Sequence, residues 1–535
     1  MTIDNVPVQR NYRTNIFGSL LTGSVDFDIT IDPDFEATDY NYAQLLLAAQ
    51  NGGKVTLTDN VTLTEALNIK EGAAVTIDLN GRTITNSSTS VALNVYGSLV
   101  IDGEGTVDGG QGGNNVTVWA QPNSNVTING GTFTVGADAS NQGNSCIYST
   151  GGTITINGGT FESKAAYNGQ YYVLNLQNNS GGQIVCTGGT FKNYNPANGD
   201  DHDQPTNFVA TGYSSVKISD EPSPNGTYRV VEGTGAADSD DIASAIESGA
   251  ELITLATDVT VGTMGAFNTD KEVTVDLNGQ QLTMSNLYDG NISKGGQVTL
   301  RNGSVKSNGN IIISDGKLTL DNVTLDGSGY ALNCQGKDAY LEIANSNLTG
   351  EYFVLSTNAS VEEGVLTWGQ DANIILRNST FEATETAFMN NVPATVEIDG
   401  CTFKGNHQGG LLRGGTYTIK NSTFTLKAEL EYDHFENHPN DNWADGNRAV
   451  FAGLTIGNRS ATSYQYPTNV TLENVKVTVE GTNAASFPSV YVYANQGEGL
   501  GVTMNYDEQC ELGTVIYGSN NITVNGKATE ITTQP

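Results

Sequence analysis

Side chains able to do chemistry gather in two stretches of the 535-residue sequence. The first runs from Asn195 to Asn207 and holds Asp200, Asp201, His202 and Asp203. The second lies between Tyr417 and Val470 and gathers Glu429, Glu431, Asp433, His434, Glu436, His438, Asp441, Trp443 and Asp445. Carboxylate oxygens suit Ca²⁺, and imidazole nitrogens suit transition metals. Asp433, His434, Glu436 and His438 are therefore the candidate metal ligands, with Ca²⁺ the candidate ion and no other cofactor expected. His434 and His438 stand four apart and would share a face of a helix. No Glu directly follows His434, so the metalloprotease pattern is not met. The competing reading is a solvated acidic loop, because Asp/Glu runs mostly carry water. The same stretch offers Trp443, Tyr432, His434 and Asp441 as candidate ligand-binding residues, which would stack on a sugar and hydrogen-bond to it.

Elsewhere the chemistry is sparse. The five cysteines (Cys146, Cys186, Cys334, Cys401 and Cys510) form no C-x-x-C pair and read as buried free thiols. Arg377 and Arg413 stand alone among apolar repeats and read as solvated surface charge. Trp119 and Trp368 are expected to pack on the scaffold rather than serve as platforms.

The composition narrows the partners. Asp plus Glu number 58 and Lys plus Arg 24, for a net charge of -34. No basic face exists to hold nucleic-acid phosphates. No apolar run reaches the ~18–20 residues of a spanning helix, so no transmembrane segment is expected. Only 15% of residues are charged, while Gly occurs 63 times and Asn 58 times. At that density of poor helix formers a helical bundle is excluded. Disorder is excluded by the 37% hydrophobic content and the recurring β-branched runs.

These residues must be positioned by a repeat. VTINGGTF from Val126 returns as ITINGGTF from Ile154 and IVCTGGTF from Ile184. Later copies include LTLDNVTL from Leu318, IILRNSTF from Ile374, VEIDGCTF from Val396 and YTIKNSTF from Tyr417. Alternating apolar residues give strands with one inward face. Asn-Gly and Asn-Ser supply corners where positive φ is tolerated. Phe133, Phe161, Phe191, Phe381, Phe403 and Phe424 then open the next strand, pointing in. A coil of 20–30 residues cannot bury its own core, whereas stacked coils can. The expected fold is therefore all-β: a parallel β-helix, or solenoid.

The solenoid reads as duplicated. VTIDLNGRTI at 75–84 returns as VTVDLNGQQL at 273–282, an offset of 198. Each copy follows a predicted short helix, Asp39–Gln50 and Asp238–Glu247, ended by Gly52 and Gly249. Such helices are expected to cap the open core of the first coil in each half. The expected domains are a strand segment at 1–36, a first half at 37–233 and a second half at 234–535, with a linker near Gly233–Asp238. Residues 1–20 show no secretory signal pattern.

On these motifs the chain resembles pectate-lyase-like right-handed parallel β-helix proteins, most of all repeat-rich surface proteins of gut Bacteroidetes. NYRTNIFGSLLTGSVDFDITIDPDF, from Asn11, separately resembles the last strands of a fimbrillin-like adhesin domain. That resemblance implies an upstream adhesin domain and an export signal outside the given chain. It implies a secreted or cell-surface (outer membrane) location. Many such folds cut acidic polysaccharides. The polygalacturonase pattern is not met here: Asn268-Thr269-Asp270 precedes the second opening coil and reads as a turn, and no Gly-His-Gly exists. A polyuronate would also be repelled by the net charge of -34. The expected function is non-enzymatic, adhesive binding to a neutral glycan or a surface protein. The alternatives are a polysaccharide-active enzyme, hydrolase more than lyase, and a structural spacer of a larger adhesin.

Overall fold

The computed structural model describes residues 37–88, 90–136, 144–201, 205–286, 291–357, 360–362, 365–368, 372–429, 450–458, 466–494, 501–517, 521–526 and 531–533. The segment 1–36 lies outside the described residues, as do His202, Asp203, Tyr432, Asp433, His434, Glu436, His438, Asp441 and Trp443.

The chain folds as an all-β parallel solenoid. In its first part, strands return to three sheets in turn. Sheet A stacks six parallel strands, from Gly53–Thr56 to Gln183–Cys186. Sheet B runs from Val61–Leu63 to Thr190–Lys192, and sheet C from Leu67–Ile69 to Leu174–Leu176. Backbone groups of each strand pair with the coils above and below, ~4.8 Å away. Inward residues meet in one core that includes Val75, Leu99, Val126, Ile154 and Ile184. The six phenylalanines point inward and form two aromatic ladders. Phe133 stacks on Phe161 at 5.1 Å, and Phe161 on Phe191 at 5.1 Å. Phe381, Phe403 and Phe424 stack at 4.7 Å intervals.

Coil length is not constant. Register partners on sheet A lie 22 residues apart at the start (Gly53 and Val75) and 30 at the end (Ile154 and Ile184). The growth falls mainly between sheets B and C. That connection lengthens from 64–66 in the first coil to 164–173 in the fifth, while the A–B corner stays at two to four residues. The A–B corner is fixed by its chemistry. Asn80 turns at φ 45° and donates through Nδ2 to the Leu57 carbonyl at 2.9 Å. The corner 198 residues later is built alike: Asn278 has φ 51° and donates to the Leu255 carbonyl at 3.3 Å.

Helix α1 (Ala37–Asn51) precedes the first coil and buries Leu45, Ala48 and Ala49 against the first core. Its Asn41 accepts from the Thr58 N–H at 3.2 Å and donates to Thr58 Oγ1 at 3.1 Å, which ties helix to coil. Helix α2 (Ser239–Ser248) buries Ile242 and Ala245 in the second core. Asp238 caps it by accepting from the Asp240 and Asp241 N–H groups at 2.9 Å, and Gly249 ends it at φ 76°.

The first stack closes with an antiparallel hairpin. Thr227–Glu232 pairs antiparallel with the last sheet-B strand, Thr190–Lys192, and with Tyr213–Ser219 on its other side. The expected linker after it contributes a strand instead. Thr234–Ala236 pairs in parallel with Leu252–Leu255, because Ala236 is buried in the second core and is held there by the ladder. From there parallel pairing continues through the second part to Ile531–Thr533. A small cluster of Val216, Val231 and Ala256 lies between the two main cores.

Candidate ligand-binding face

The outer side of sheet C in the first stack carries one in-register row. Asn68 pairs with Asn94, Asn94 with Trp119, Trp119 with Tyr148, and Tyr148 with Asn175. Period-two alternation points these residues away from the core that holds Leu93, Val118, Ile147 and Leu174. Trp119 and Tyr148 are half-buried, with ring centroids 5.4 Å apart and planes inclined by 42°. Trp119 Nε1 donates to Thr150 Oγ1 at 2.9 Å, which fixes the indole. The tryptophan therefore packs along the coils, as expected, and also presents part of an aromatic surface.

Amides frame that surface. Asn94 Nδ2 donates to Asn68 Oδ1 at 2.8 Å, and Gln121 Nε2 donates to Asn94 Oδ1 at 2.8 Å. Tyr96, at 45% exposure, sits beside them, with its hydroxyl accepting from Asn94 at 3.3 Å. Burial and the nearby Asp201 charge raise the Tyr148 phenol above its ordinary pKa. An aromatic pair bordered by neutral amides can pack on an apolar ring face and hydrogen-bond to hydroxyls at its edge. The connection 164–173 leads directly into the strand Leu174–Leu176 at the end of this row.

The charged residues singled out from the sequence have other work. Asp200 Oδ2 accepts from the Tyr171 N–H at 3.1 Å; Asp201 Oδ1 accepts from the Leu176 N–H at 3.0 Å. Asp201 is 4% exposed and also accepts from Thr206 Oγ1 at 2.9 Å, so this part of the loop is pinned onto the last coils. Asn268 exchanges hydrogen bonds with Ser293 at 3.1 Å, which makes it a turn residue. Arg377 is half-exposed and pairs with Glu342 at 3.2 Å. Arg413 departs from expectation: it is 1% exposed, because its strand Gln408–Arg413 is buried on both sides. Several other cations bridge coils, such as Arg301 to Asp276 at 2.8 Å and Lys317 to Glu342 at 2.8 Å. Among the described residues no group of three or more His, Cys, Asp or Glu could hold a metal ion.

A concavity of about 670 Å³ lies where the two stacks meet. Asn157, Thr187, Tyr213, Arg229 and Gln280 line it, with carboxylates from Glu104, Glu232 and Asp276. Arg229 bridges the stacks through a hydrogen bond from Nη1 to the Ala256 carbonyl. Burial lowers its pKa, and the nearby Asp258 charge opposes that shift.

The fold defines an all-β parallel solenoid, and no helix among the described residues is long and apolar enough to cross a membrane. A family of unknown function (DUF6562) matches the chain over residues 1–66, which takes in α1 and the first two strands. No curated protein and no solved structure matches the chain significantly.

Proposed function

We propose that this chain is a secreted or cell-surface β-helix whose role is non-enzymatic binding, toward a neutral glycan or another surface component. The observation that carries the reading is the row Asn68–Asn94–Trp119–Tyr148 on sheet C, which the buried Asn175 continues in register. Aromatic faces and neutral amides bind sugars without needing charge, in keeping with a chain of net charge -34. In this reading the helix is right-handed, the hand that parallel crossovers take almost always. The matching corners at Asn80 and Asn278 support a duplication. The burial of Leu45 and Ile242 supports α1 and α2 as caps of the two stacks. A glycan array probed with the purified protein, followed by titration of the best binder, tests the reading. Trp119→Ala and Tyr148→Ala should each weaken binding by about tenfold or more, measured at a temperature where circular dichroism shows the variant folded. Equal binding by both variants would overturn the assignment to this face.

A second reading, a glycoside hydrolase, draws support from Glu104, Glu232 and Asp276 around the junction concavity. Glycoside hydrolysis uses two carboxyl groups flanking the scissile bond. Release of reducing sugar from a glycan panel, abolished by Glu104→Gln or Glu232→Gln, would favour it over binding alone.

A further inference from the structure

Arg413 ends the strand Gln408–Arg413 and is among the largest fully buried side chains, at 1% exposure. Its Nε, Nη1 and Nη2 are all buried without a hydrogen-bond partner. A guanidinium stays charged at any physiological pH and carries five N–H donors. Burying it with none of them accepted forfeits its hydration and returns nothing. Such a group calls for an anion.

Its neighbours point the same way. The side chain falls on the face opposite Leu412, which belongs to the main core. It shares that outer face with Leu411, which packs in a separate cluster with Phe353 and Met389. In the next coil Arg413 is in register with Gly457. The Tyr493 ring lies over that glycine, so closely that an added Cβ would come within 2.2 Å of Cε1. The Tyr493 hydroxyl is likewise buried and without a partner. Two unmatched donor groups, one a cation, thus flank a glycine on the outer side of the paired strands Gln408–Arg413 and Ala452–Gly457, beside an apolar wall.

We propose that Arg413 and Tyr493 form a binding site for a carboxylate. The planar fork of the guanidinium matches the two oxygens of a carboxylate in a bidentate pair, and the phenol adds a third hydrogen bond. The apolar cluster suits a ligand whose carboxylate is attached to a carbon skeleton, such as an acidic monosaccharide or a short organic acid. This site is independent of the aromatic row on the first stack.

The full chain should be titrated calorimetrically with sodium glucuronate, acetate, phosphate and chloride, with glucose as the neutral control. Saturable binding of glucuronate or acetate is expected, with phosphate weaker and glucose and chloride silent. Arg413→Gln should weaken carboxylate binding by about tenfold or more, as loss of a charged hydrogen-bond partner does. Tyr493→Phe removes only a hydroxyl, keeps the ring over Gly457 and should weaken binding more mildly. It serves if the arginine variant does not fold. Phosphate binding in preference to both carboxylates would replace the ligand class and overturn the proposal. So would no saturable binding of either carboxylate, or binding unchanged in the tyrosine variant and in any folded arginine variant.

Discussion

At the scale of single residues, burial has set the chemistry of the thiols. All five are free, and four are buried. Burial pushes Cys146 and Cys334 up to about 12 and Cys401 up to about 11, from an ordinary value of 9.0, and raises Cys186 as well. The folded chain keeps these thiols protonated at pH values where the unfolded chain would ionise them. Their contribution to stability is whole below pH 9.0 and is lost as pH climbs toward about 12. Each thiol then steepens the loss by about 1.4 kcal/mol per pH unit. Thermal melts from neutral pH into this window should show the decline. A Cys146→Ala/Cys334→Ala double variant should have a lower starting stability and a shallower slope. A thiol reagent should label only the half-buried Cys510 in the native chain and all five after unfolding.

At the scale of elements, the inward phenylalanines were legible because a strand repeat with period two admits one inward phase only. Phe161 is sandwiched at 5.1 Å on both sides. Truncating it opens a void between two coils that the flanking strands, locked in register, cannot close. Phe161→Ala should therefore cost about 3–5 kcal/mol, and Phe161→Leu less, read from urea midpoints. Gly159, at φ 96°, tests the neighbouring corner: an added Cβ would lie 2.9 Å from the Gly131 carbonyl oxygen, so Gly159→Ala should destabilise as well. The aromatic row on sheet C was not legible in the same way. Its members are separated by unequal intervals, because each B–C connection has its own length, and sequence distance does not reveal which residues become neighbours. Arg413 escaped for a related reason. The period-two pattern places it on an outer face, but whether an outer face meets solvent depends on other parts of the chain. The expected linker at Gly233–Asp238 failed at the level of one buried alanine, Ala236, whose pairing with Leu255 is set by the second core.

At the scale of the whole molecule, electrostatics and stacking pull against each other. The inter-coil ion pairs are mostly partly exposed, and such pairs contribute little individually. The remaining excess of carboxylates repels along the stack. Added salt shortens the Debye length from ~30 Å at 0.01 M to ~10 Å at 0.1 M and screens that repulsion. The melting temperature should rise over this range of sodium chloride. A fall would mean that the ion pairs outweigh the repulsion.

The closing hairpin of the first stack bears on a hazard built into any such architecture. A coil of parallel strands exposes, at its last rung, the same unpaired edge that it used to recruit that rung, so nothing in the pattern itself says where to stop. In sheet B the strand Thr227–Glu232 runs the opposite way and is followed outward by Tyr213–Ser219. Direction is reversed at that rung, and an incoming copy of the repeat no longer finds a surface of its own polarity. The hairpin is in effect a full stop: it makes the first stack a finite object with a set number of rungs, where the bare repeat would be the opening of a fibre.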